Sequence, residues 1–524
     1  MRHPVKTIGV FSLAAIVAIG FYSAGCSRSA SYYEEKAPVP GSVKILPTDT
    51  VSELGSKAAR VVPSERQLAW QALEFQAFVH FGMNTFTDRE WGQGTEDPKL
   101  FDPTEFDAGQ WAEAVKAAGI RGLIVTAKHH DGFCLWPSRF TEHSVKSSPW
   151  REGKGDVVGE VAAACRKAGL KFGVYLSPWD RHEPSYGDSP RYNEHFKNQL
   201  RELLTNYGEI SEVWFDGACA EGPNGKRQVY DWESYYALIR GLQPGAVISI
   251  IGPDARWIGN EAGVTRESEW SVIPVVGFGD LPDEKNPGGI AGLDAQAADL
   301  GSFGRIASVA RQGGRLIWYP GQVDVSIRPG WFYHAAEDDK VKTLGHLLDI
   351  YYTSIGGNAQ LLLNIPSDKR GRIHENDVQR LKELGDRLRT TFAVNLAKGA
   401  SSRRIRGTAL FEGSPKPAAG LGQPPSGTDG DSPSFQIEYD LGSPKVFNVA
   451  MIKESIRQGQ RIESFALDAW DGRDWREIAK GTTVGWKKLL RFPAVEATKA
   501  RLRILKARAW PFSPRLELFF DPGR

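Results

Sequence analysis

The chain has almost no net charge and few cysteines. Its 65 Lys and Arg residues nearly balance 63 Asp and Glu residues, which leaves a formal charge of +2 over 524 residues. This balance gives no electrostatic case for nucleic acid or an anionic membrane as the main partner. The four cysteines lie at unrelated spacings, so they form neither a disulfide framework nor a metal-binding pattern. No GxSxG element follows a predicted strand, which argues against a serine hydrolase.

An apolar run lies at the N-terminus. Arg2 and Lys6 precede IGVFSLAAIVAIGFY, which is too short for a comfortable membrane span and is typical of an export signal. The small residues before Cys26 resemble a bacterial lipobox, although Ser23 stands where Leu is usual. We therefore predict a lipoprotein-type signal peptide over residues 1–26, with plain secretion and an uncleaved anchor as the alternatives. We expect export to the periplasm or outer surface of a bacterium, with membrane attachment only through lipid at Cys26.

The rest of the chain divides into three predicted regions. Residues 27–62 are rich in Ser, Pro and charge and are predicted to be a flexible tether. Residues 63–395 alternate apolar runs with amphipathic stretches of helical period. Residues 396–524 hold short strand-like segments separated by turn signals, which predict an all-β sandwich. The fragment GQRIESFALDAWDGRDWREIAKG resembles galactose-binding-like sandwiches, which either bind sugar through their loops or pack on the catalytic domain.

Apolar runs in residues 63–395 predict the strands of an α/β fold. FQAFVHFG, GLIVTAKHH, KFGVYLSPW and EVWFDG are each followed by a predicted helix. AVISIIG, the segment near Glu269, RLIWYP and AQLLLNI are candidates for the remaining strands. Buried parallel strands with crossover helices predict a (β/α)8-like (TIM) barrel. An open doubly wound sheet is the competing architecture, but no Gly-rich phosphate fingerprint follows the first strand.

Groups able to hydrogen-bond, stack or ionise end five successive predicted strands. They are His80, then His129 and His130, then Tyr175, then Asp216, and finally Arg256 and Glu261. Each alone has a simpler explanation as a structural hydrogen-bonding group or a turn residue. In a parallel barrel, however, the C-terminal ends of the strands surround one pocket, so their convergence predicts a functional site. Adjacent histidines seldom bind one ion, and no HxH or HxxxH spacing is present, so we expect no catalytic metal and no cofactor.

Glycoside cleavage fits this set of residues. It needs an ionised carboxylate below the anomeric carbon and a protonated carboxyl beside the leaving oxygen. Neutral sugars present hydroxyl groups, which accounts for a site lined with His, Trp and Tyr rather than a cluster of Lys. Two alternatives remain open at this point: a barrel glycosidase for another terminal sugar, such as an α-galactoside, and a non-catalytic surface glycan-binding protein.

Seven segments, in order over about 300 residues, resemble the signature segments of the α-L-fucosidases of glycoside hydrolase family 29. They are HFGMNTFTDREWG, KHHDGFCLWPS, GVYLSPWDR, EVWFDGA, RWIGNEAG, VDVSIRPGWFYH and LLLNIPSDKRG. The resemblance implies retaining removal of terminal α-L-fucose from a fucosylated oligosaccharide or glycoconjugate, with Asp216 as the nucleophile. RWIGNEAG is similar to the subgroup that acts on α-1,3 and α-1,4 linkages, which implies Glu261 as the acid/base. Glu267 and Glu269 are its rivals.

The same resemblance implies the geometry and the lining of the pocket. The two catalytic carboxyl groups should lie about 5–5.5 Å apart, and the acid should have a raised pKa. Residues implied to contact fucose are His80, Glu90, Trp91, His129, His130, Tyr175 and Trp331. Trp91 and Trp331 would cover the apolar side that carries the C6 methyl group. Arg256 is a further candidate contact, with bracing of its own loop as the alternative.

Overall fold

The computed structural model describes residues 38–276, 293–406, 435–512 and 514–523. Their strands are β1 (Val39–Pro40), β2 (Ser42–Ile45), β3 (Val61–Val62), β4 (Phe75–Val79), β5 (Gly122–Lys128), β6 (Lys171–Leu176), β7 (Glu212–Phe215), β8 (Val247–Ile250), β9 (Arg256–Trp257), β10 (Val272–Val275), β11 (Gly314–Trp318), β12 (Gly321–Ser326), β13 (Gln360–Asn364), β14 (Ser401–Arg406), β15 (Phe435–Lys453), β16 (Ile462–Trp470), β17 (Trp475–Gly481), β18 (Lys488–Ala507) and β19 (Arg515–Phe519). The α-helices are α1 (Val51–Arg60), α2 (Glu65–Gln71), α3 (Met83–Thr87), α4 (Ala108–Ala117), α5 (Val157–Ala168), α6 (Ser189–Asn206), α7 (Trp232–Leu242), α8 (Phe303–Ala310), α9 (Leu344–Ser354) and α10 (Glu375–Phe392).

A parallel eight-stranded sheet forms the centre of the first domain. Its order is β8-β7-β6-β5-β4-β13-β12-β9, and a parallel bridge between Ser249 and Ala255 links the two ends. Every residue of β4, β5, β7 and β13 is buried, as expected for strands covered on both faces. The predicted (β/α)8-like barrel is therefore confirmed.

Helices follow most of the barrel strands, and local signals set their ends. Helix α5, for example, begins after Asp156, whose side chain accepts a hydrogen bond from the Gly159 amide. It ends at Gly169, which adopts the left-handed conformation (φ 71°) that favours glycine at a helix C-terminus. The barrel departs from a regular repeat between β8 and β9, which are joined by residues 251–255 without a helix.

Two predicted barrel strands belong to another sheet. The segment after Glu269 forms β10 and RLIWYP forms β11, which pair antiparallel with each other. Strand β11 also pairs antiparallel with β2. The barrel instead uses β9 and β12 at this point in the chain. The prediction was wrong because a continuous apolar run indicates burial on both faces and does not indicate which sheet the strand joins. Leu316 and Ile317 illustrate this, since they enter two different buried clusters.

Residues 38–62 do not form the predicted flexible tether. They form β1, β2, α1 and β3. Helix α1 begins at Thr50 with a capping box completed by Glu53, and its Leu54 is buried with residues of α8, β10 and β11. The helix was not predicted, because the segment is rich in polar residues and only four of the ten residues of α1 are buried. Residues 1–37, with the predicted signal peptide and the rest of the tether, lie outside the described residues.

The C-terminal domain is antiparallel, in the order β14-β15-β18-β16-β17, with β19 paired to β15. The pairing of β15 with β18 changes register after Asp440 and again after Phe447, and such irregularities bend strands. Both halves of the long strand β15 consequently contribute to one core, as shown by Ile437 and Ile452. The predicted all-β sandwich is confirmed.

The sandwich packs directly on the barrel. The Trp486 amide donates to Asn358 Oδ1 at 2.7 Å, and Gln460 Nε2 donates to the Glu269 carbonyl at 3.0 Å. Lys487 forms a buried ion pair with Glu74 at the base of β4. Of the two roles left open by the sequence, packing on the catalytic domain is therefore observed. In the part of the chain that the structure describes, no helix has the length and apolar character needed to cross a membrane.

Candidate active site

The predicted site residues meet at the C-terminal end of the barrel. His80 follows β4, the pair His129 and His130 follows β5, and Tyr175 lies near the end of β6. The ring centroids of His129 lie 5.8 Å from His80, 4.1 Å from His130 and 5.7 Å from Tyr175. Trp331 completes the group, with its ring 5.2 Å from His80. The structure therefore brings residues from four separate segments into one pocket.

Asp216 directly follows β7 and is held from both sides. Tyr175 donates its hydroxyl to Oδ2 at 2.9 Å, and the Ala218 amide donates to Oδ1 at 2.8 Å. His130 Nε2 lies 3.7 Å from Oδ2, and 25% of the Asp216 side chain is exposed. The carboxylate is thus fixed in orientation while remaining open to a ligand.

Burial favours the neutral form of the three imidazoles of the pocket, because it lowers the pKa of each. The pKa of His80 falls to about 4, and the pKa values of His129 and His130 are also lowered. His80 Nδ1 lies 2.7 Å from Asn364 Oδ1, so this nitrogen carries the proton and Nε2 is left as an acceptor. Asn364 is oriented by its amide nitrogen, which donates to the Trp331 carbonyl.

His130 and His129 have opposite tautomers. Ser177 donates its hydroxyl to the Trp179 carbonyl at 2.6 Å, so its oxygen accepts from His130 Nδ1 at 2.7 Å. His130 Nε2 is therefore an acceptor that faces Asp216. Asn84 Nδ2 lies 3.3 Å from His129 Nδ1, and a donor there leaves the His129 proton on Nε2. The pocket thus combines one imidazole donor with two imidazole acceptors, a pattern suited to hydroxyl groups.

Glu90 and the tryptophans form the opposite wall. Glu90 accepts the Trp331 amide at 2.8 Å and the Phe332 amide at 3.1 Å. Trp91 is 54% exposed and packs edge-on against His130, with ring centroids 5.3 Å apart. An indole that is this exposed beside polar groups provides an apolar surface for a ligand that carries both kinds of group.

Glu261 contacts this wall, since the Trp331 indole Nε1 donates to its Oε2 at 3.3 Å. Burial raises the pKa of Glu261, and the charges of Asp216 and Glu90 raise it further, against the lowering effect of the Trp331 hydrogen bond. Asp216 and Glu261 therefore differ in environment, with the nucleophile candidate held by donors and the acid candidate favoured in its protonated form.

The two rival glutamates have other surroundings. Glu269 is buried and paired with both Arg256 and Arg266, so its charge is already neutralised. Glu267 is exposed, and its carbonyl accepts from Thr482 in the C-terminal domain at 2.8 Å. Neither has a described contact with the residues that line the pocket.

The structure contradicts the prediction that Arg256 contacts the substrate. Its side chain has no exposed surface, and it bonds to Glu269 and to the carbonyls of Tyr319 and Trp270. Arg256 lies on strand β9 of the barrel, and its partners lie just before β10 and just after β11. Its guanidinium therefore joins the barrel to the layer of β10 and β11. It therefore braces this region, which is the alternative that the sequence left open.

Sequence reasoning missed two ionisable residues around the pocket. Asp324 on β12 is buried and accepts the Trp257 indole Nε1 at 2.8 Å. Burial and the nearby charge of Glu261 raise the pKa of Asp324 to about 8. His334 bonds to Glu90 Oε1 at 2.8 Å. Both residues belong to VDVSIRPGWFYH, so the signal was present in a segment of which only Trp331 was assigned. Across the described ranges, no group of three or more His, Cys, Asp or Glu residues is arranged to hold a metal ion.

A carboxylate held by two donors faces the same pocket as a second carboxyl group whose pKa is raised. Their setting among imidazoles and indoles at the C-terminal end of a parallel barrel is that of a glycoside hydrolase. Over residues 58–265 and 312–391 the chain matches the family described as Alpha-L-fucosidase. The chain belongs to this family, glycoside hydrolase family 29. The resemblance found in the sequence is thereby confirmed at the level of the family.

Individual relatives cover most of the chain. Alpha-L-fucosidase 1 of Arabidopsis thaliana is 43% identical over 470 residues, 88% of each chain. A Bacteroides ovatus structure, whose assignment as an α-L-fucosidase is provisional, aligns with a TM-score of 0.82 at 48% identity over 93% of this chain and 79% of that one. A Ruminococcus gnavus family 29 fucosidase, solved as a mutant in complex with fucose, has a TM-score of 0.71 at 31% identity, covering 88% and 95%.

Proposed function

We propose that this glycoside hydrolase removes terminal α-L-fucose with retention of configuration, using Asp216 as the nucleophile and Glu261 as the acid/base. The observation that carries the proposal is the contrast between the two carboxyl groups. Asp216 is fixed by Tyr175 and the Ala218 amide, whereas Glu261 has a raised pKa beside Trp331. These are the properties that a double displacement requires of its two carboxyl groups.

In the first step Glu261 donates its proton to the glycosidic oxygen while an Asp216 oxygen attacks the anomeric carbon. The bond to the leaving group breaks with its electron pair, and a fucosyl ester forms on Asp216. Glu261, now ionised, then removes a proton from water. The water oxygen attacks the anomeric carbon as it loses this proton. The ester bond breaks with its electron pair returning to Asp216, which releases fucose and regenerates the carboxylate.

Recognition of fucose is attributed to the two walls of the pocket. The Nε2 atoms of His80, His129 and His130 and the carboxylate of Glu90 would bond to the sugar hydroxyls. Trp91 and Trp331 would cover the face with the C6 methyl group. Where another hexose carries a hydroxyl at C6, the face of an indole ring offers it no hydrogen-bond partner, so the extra hydroxyl is disfavoured by desolvation.

The catalytic pair can be tested with three variants. Asp216→Ala should abolish turnover of an aryl α-L-fucoside without unfolding the protein. Glu261→Ala should retain activity only on substrates with good leaving groups and should be rescued by azide with formation of a fucosyl azide. Glu267→Ala is the matched control and should behave like the unchanged protein. Full activity of Asp216→Ala on a fucosylated oligosaccharide would contradict the assignment.

We further propose a preference for α-1,3 and α-1,4 linkages at branched glycan ends, supported by the similarity of RWIGNEAG to that subgroup. Digestion of a panel with α-1,2, α-1,3, α-1,4 and α-1,6-linked fucose tests this preference. Cleavage of the 1,3 and 1,4 members with little of the others is expected, and efficient cleavage of the 1,6 member would contradict it.

Export with a lipid anchor at Cys26 is likewise proposed, on the basis of the basic residues, the apolar run and the small residues before Cys26. Mass spectrometry of the mature N-terminus tests it. A diacylglyceryl-modified Cys26 is the expected result, and an unmodified N-terminus at another residue would contradict it.

A further inference from the structure

His334 lies between two carboxylates. Its Nδ1 is 2.6 Å from Asp88 Oδ1, and its Nε2 is 2.8 Å from Glu90 Oε1. An ionised carboxylate only accepts hydrogen bonds, so both ring nitrogens must carry a proton to satisfy this geometry. Burial lowers the pKa of His334, but the hydrogen bonds to Asp88 and Glu90 outweigh it and the pKa is raised. The ring is therefore an imidazolium that holds two loop positions together.

The hydrogen bonds of Glu90 leave room for one more donor. Its Oε1 accepts from His334 and from the Phe332 amide, and its Oε2 accepts from the Trp331 amide. A carboxylate offers about four acceptor positions, so one position on Oε2 remains. With 39% of the Glu90 side chain exposed, this position is available to a substrate hydroxyl.

The same contacts fix Trp331. Its amide bonds to Glu90, its carbonyl accepts from Asn364 at 2.8 Å, and its indole donates to Glu261. The packing here is tight, because a Cβ atom at Gly330 would lie 2.8 Å from Glu90 Oε1 and 3.0 Å from His334 Cδ2. The loop that carries Trp331 is thus held to Glu90 by hydrogen bonds from three of its residues, Trp331, Phe332 and His334.

We propose that His334 is a positioning residue, whose imidazolium bridges Asp88 and Glu90 and thereby orients Glu90 toward a fucose hydroxyl and Trp331 toward Glu261. The inference rests on the proposed function, because that function assigns Glu90 a hydrogen bond with a hydroxyl group of fucose. His334 itself does not act on the reacting atoms. Its effect reaches the substrate through Glu90 and reaches the acid/base through the backbone of Trp331.

The other charged groups on the surrounding elements are engaged elsewhere. Arg89 faces Glu96 at 3.8 Å, the Glu337 carboxylate accepts from the Gly330 amide at 3.1 Å, and Arg328 is paired with Asp338 and Asp377. His334 is therefore the group of the bridge that titrates, and Asp324, whose pKa is raised to about 8, is a second group of the pocket that must be held constant in the test. Since its charged form is the favoured one, the bridge is intact below the raised pKa and is lost as pH rises through it.

Binding of L-fucose provides a readout that does not depend on the acid/base step. Calorimetric titration between about pH 5 and 9, made with Asp324→Asn already in place so that Asp324 does not titrate in this range, should show that the protein loses affinity as His334 loses its proton. His334→Gln keeps a hydrogen-bond donor but no charge. It should bind fucose about ten- to a hundredfold more weakly, as expected when a contact group is misplaced, and the alkaline loss of affinity should disappear. His346→Gln, which alters an exposed histidine on α9, is the matched control and should leave the curve unchanged.

A second variant keeps the proposal testable if His334→Gln disturbs the loop. Asp88 is 67% exposed, and Asp88→Asn preserves His334 while removing one of its two carboxylates. The alkaline loss of affinity should then move to lower pH. If Asp88→Asn leaves the pH dependence where it was, the inference is overturned while the proposed function stands. If the unchanged protein binds no L-fucose, the proposed function itself fails.

Discussion

Replacement of Asp324 by Asn tests the electrostatics of the pocket through the free energy of unfolding. Burial and the charge of Glu261 raise the pKa of Asp324 from 3.8 to about 8. The unfolded chain releases this proton near the ordinary value, so the folded state is penalised increasingly as pH rises from about 4 toward 8. The penalty grows by about 1.4 kcal/mol per pH unit and reaches about 4 kcal/mol at pH 7.

Asp324→Asn removes the ionisable group while keeping the shape of the protonated acid. Its side-chain oxygen can still accept from the Trp257 indole, which bonds to Asp324 Oδ1 at 2.8 Å. The stability of the variant relative to the unchanged protein should therefore increase with pH, by about 3 kcal/mol between pH 5 and pH 7. Urea unfolding followed by tryptophan fluorescence at several pH values measures this difference.

Asp180→Asn is the matched control, because Asp180 is a buried aspartate whose pKa is lowered rather than raised. Burial raises the pKa of Asp180, but Lys128, whose Nζ lies 2.7 Å away, outweighs it and lowers the pKa to about 2. Its stability contribution is complete above the ordinary pKa, so the variant should be less stable by about 3–5 kcal/mol, equally at pH 5 and pH 7. A difference for Asp324→Asn that is equally flat would show that Asp324 is ionised in the folded protein, and would refute the reasoning.

Two further variants address the surroundings of Glu261. Glu269→Gln should destabilise the protein by about 3–5 kcal/mol, because it leaves the buried Arg256 without a counter-charge; thermal unfolding checks this, and exposed Glu267→Gln should be nearly neutral. Trp331→Phe removes the indole donor that lowers the pKa of Glu261, so the alkaline limb of kcat/KM should move to higher pH. An unchanged limb would show that Glu261 is not the acid.

The fold could be predicted from the sequence where apolar strands alternate with amphipathic helices and neighbouring strands in the chain are also neighbours in the sheet. The first four barrel strands alternate with amphipathic helices, and β4 to β7 lie side by side in the sheet in chain order. After β8 the agreement ends, because a short connection to β9 is followed by a separate antiparallel sheet. An apolar run such as that of β11 has the same appearance in either sheet. The strand that does belong to the barrel, β9, has only two residues and gives no periodic signal.

The site could be predicted where a polar residue interrupts an apolar strand end, as at His80 and Asp216. It could not be predicted where the role depends on partners distant in the chain. Arg256 is also a polar residue that comes after an apolar run, but its hydrogen bonds to Glu269 and to the Trp270 carbonyl hold it inside the protein. His334 shows the converse, since its partner Glu90 lies 244 residues earlier in the chain.

The neutral state of the three imidazoles has a consequence for substrate choice. Burial lowers the pKa of His80 to about 4 and also lowers those of His129 and His130. The three imidazoles are therefore favoured as two acceptors and one donor rather than as cations. Asp216 and Glu90 contribute negative charge at the same place. A sugar acid would therefore meet carboxylates without compensation from these histidines, whereas a neutral sugar can satisfy them through its hydroxyls. Protonation of the imidazoles at low pH should abolish this discrimination together with the acceptors on which binding depends.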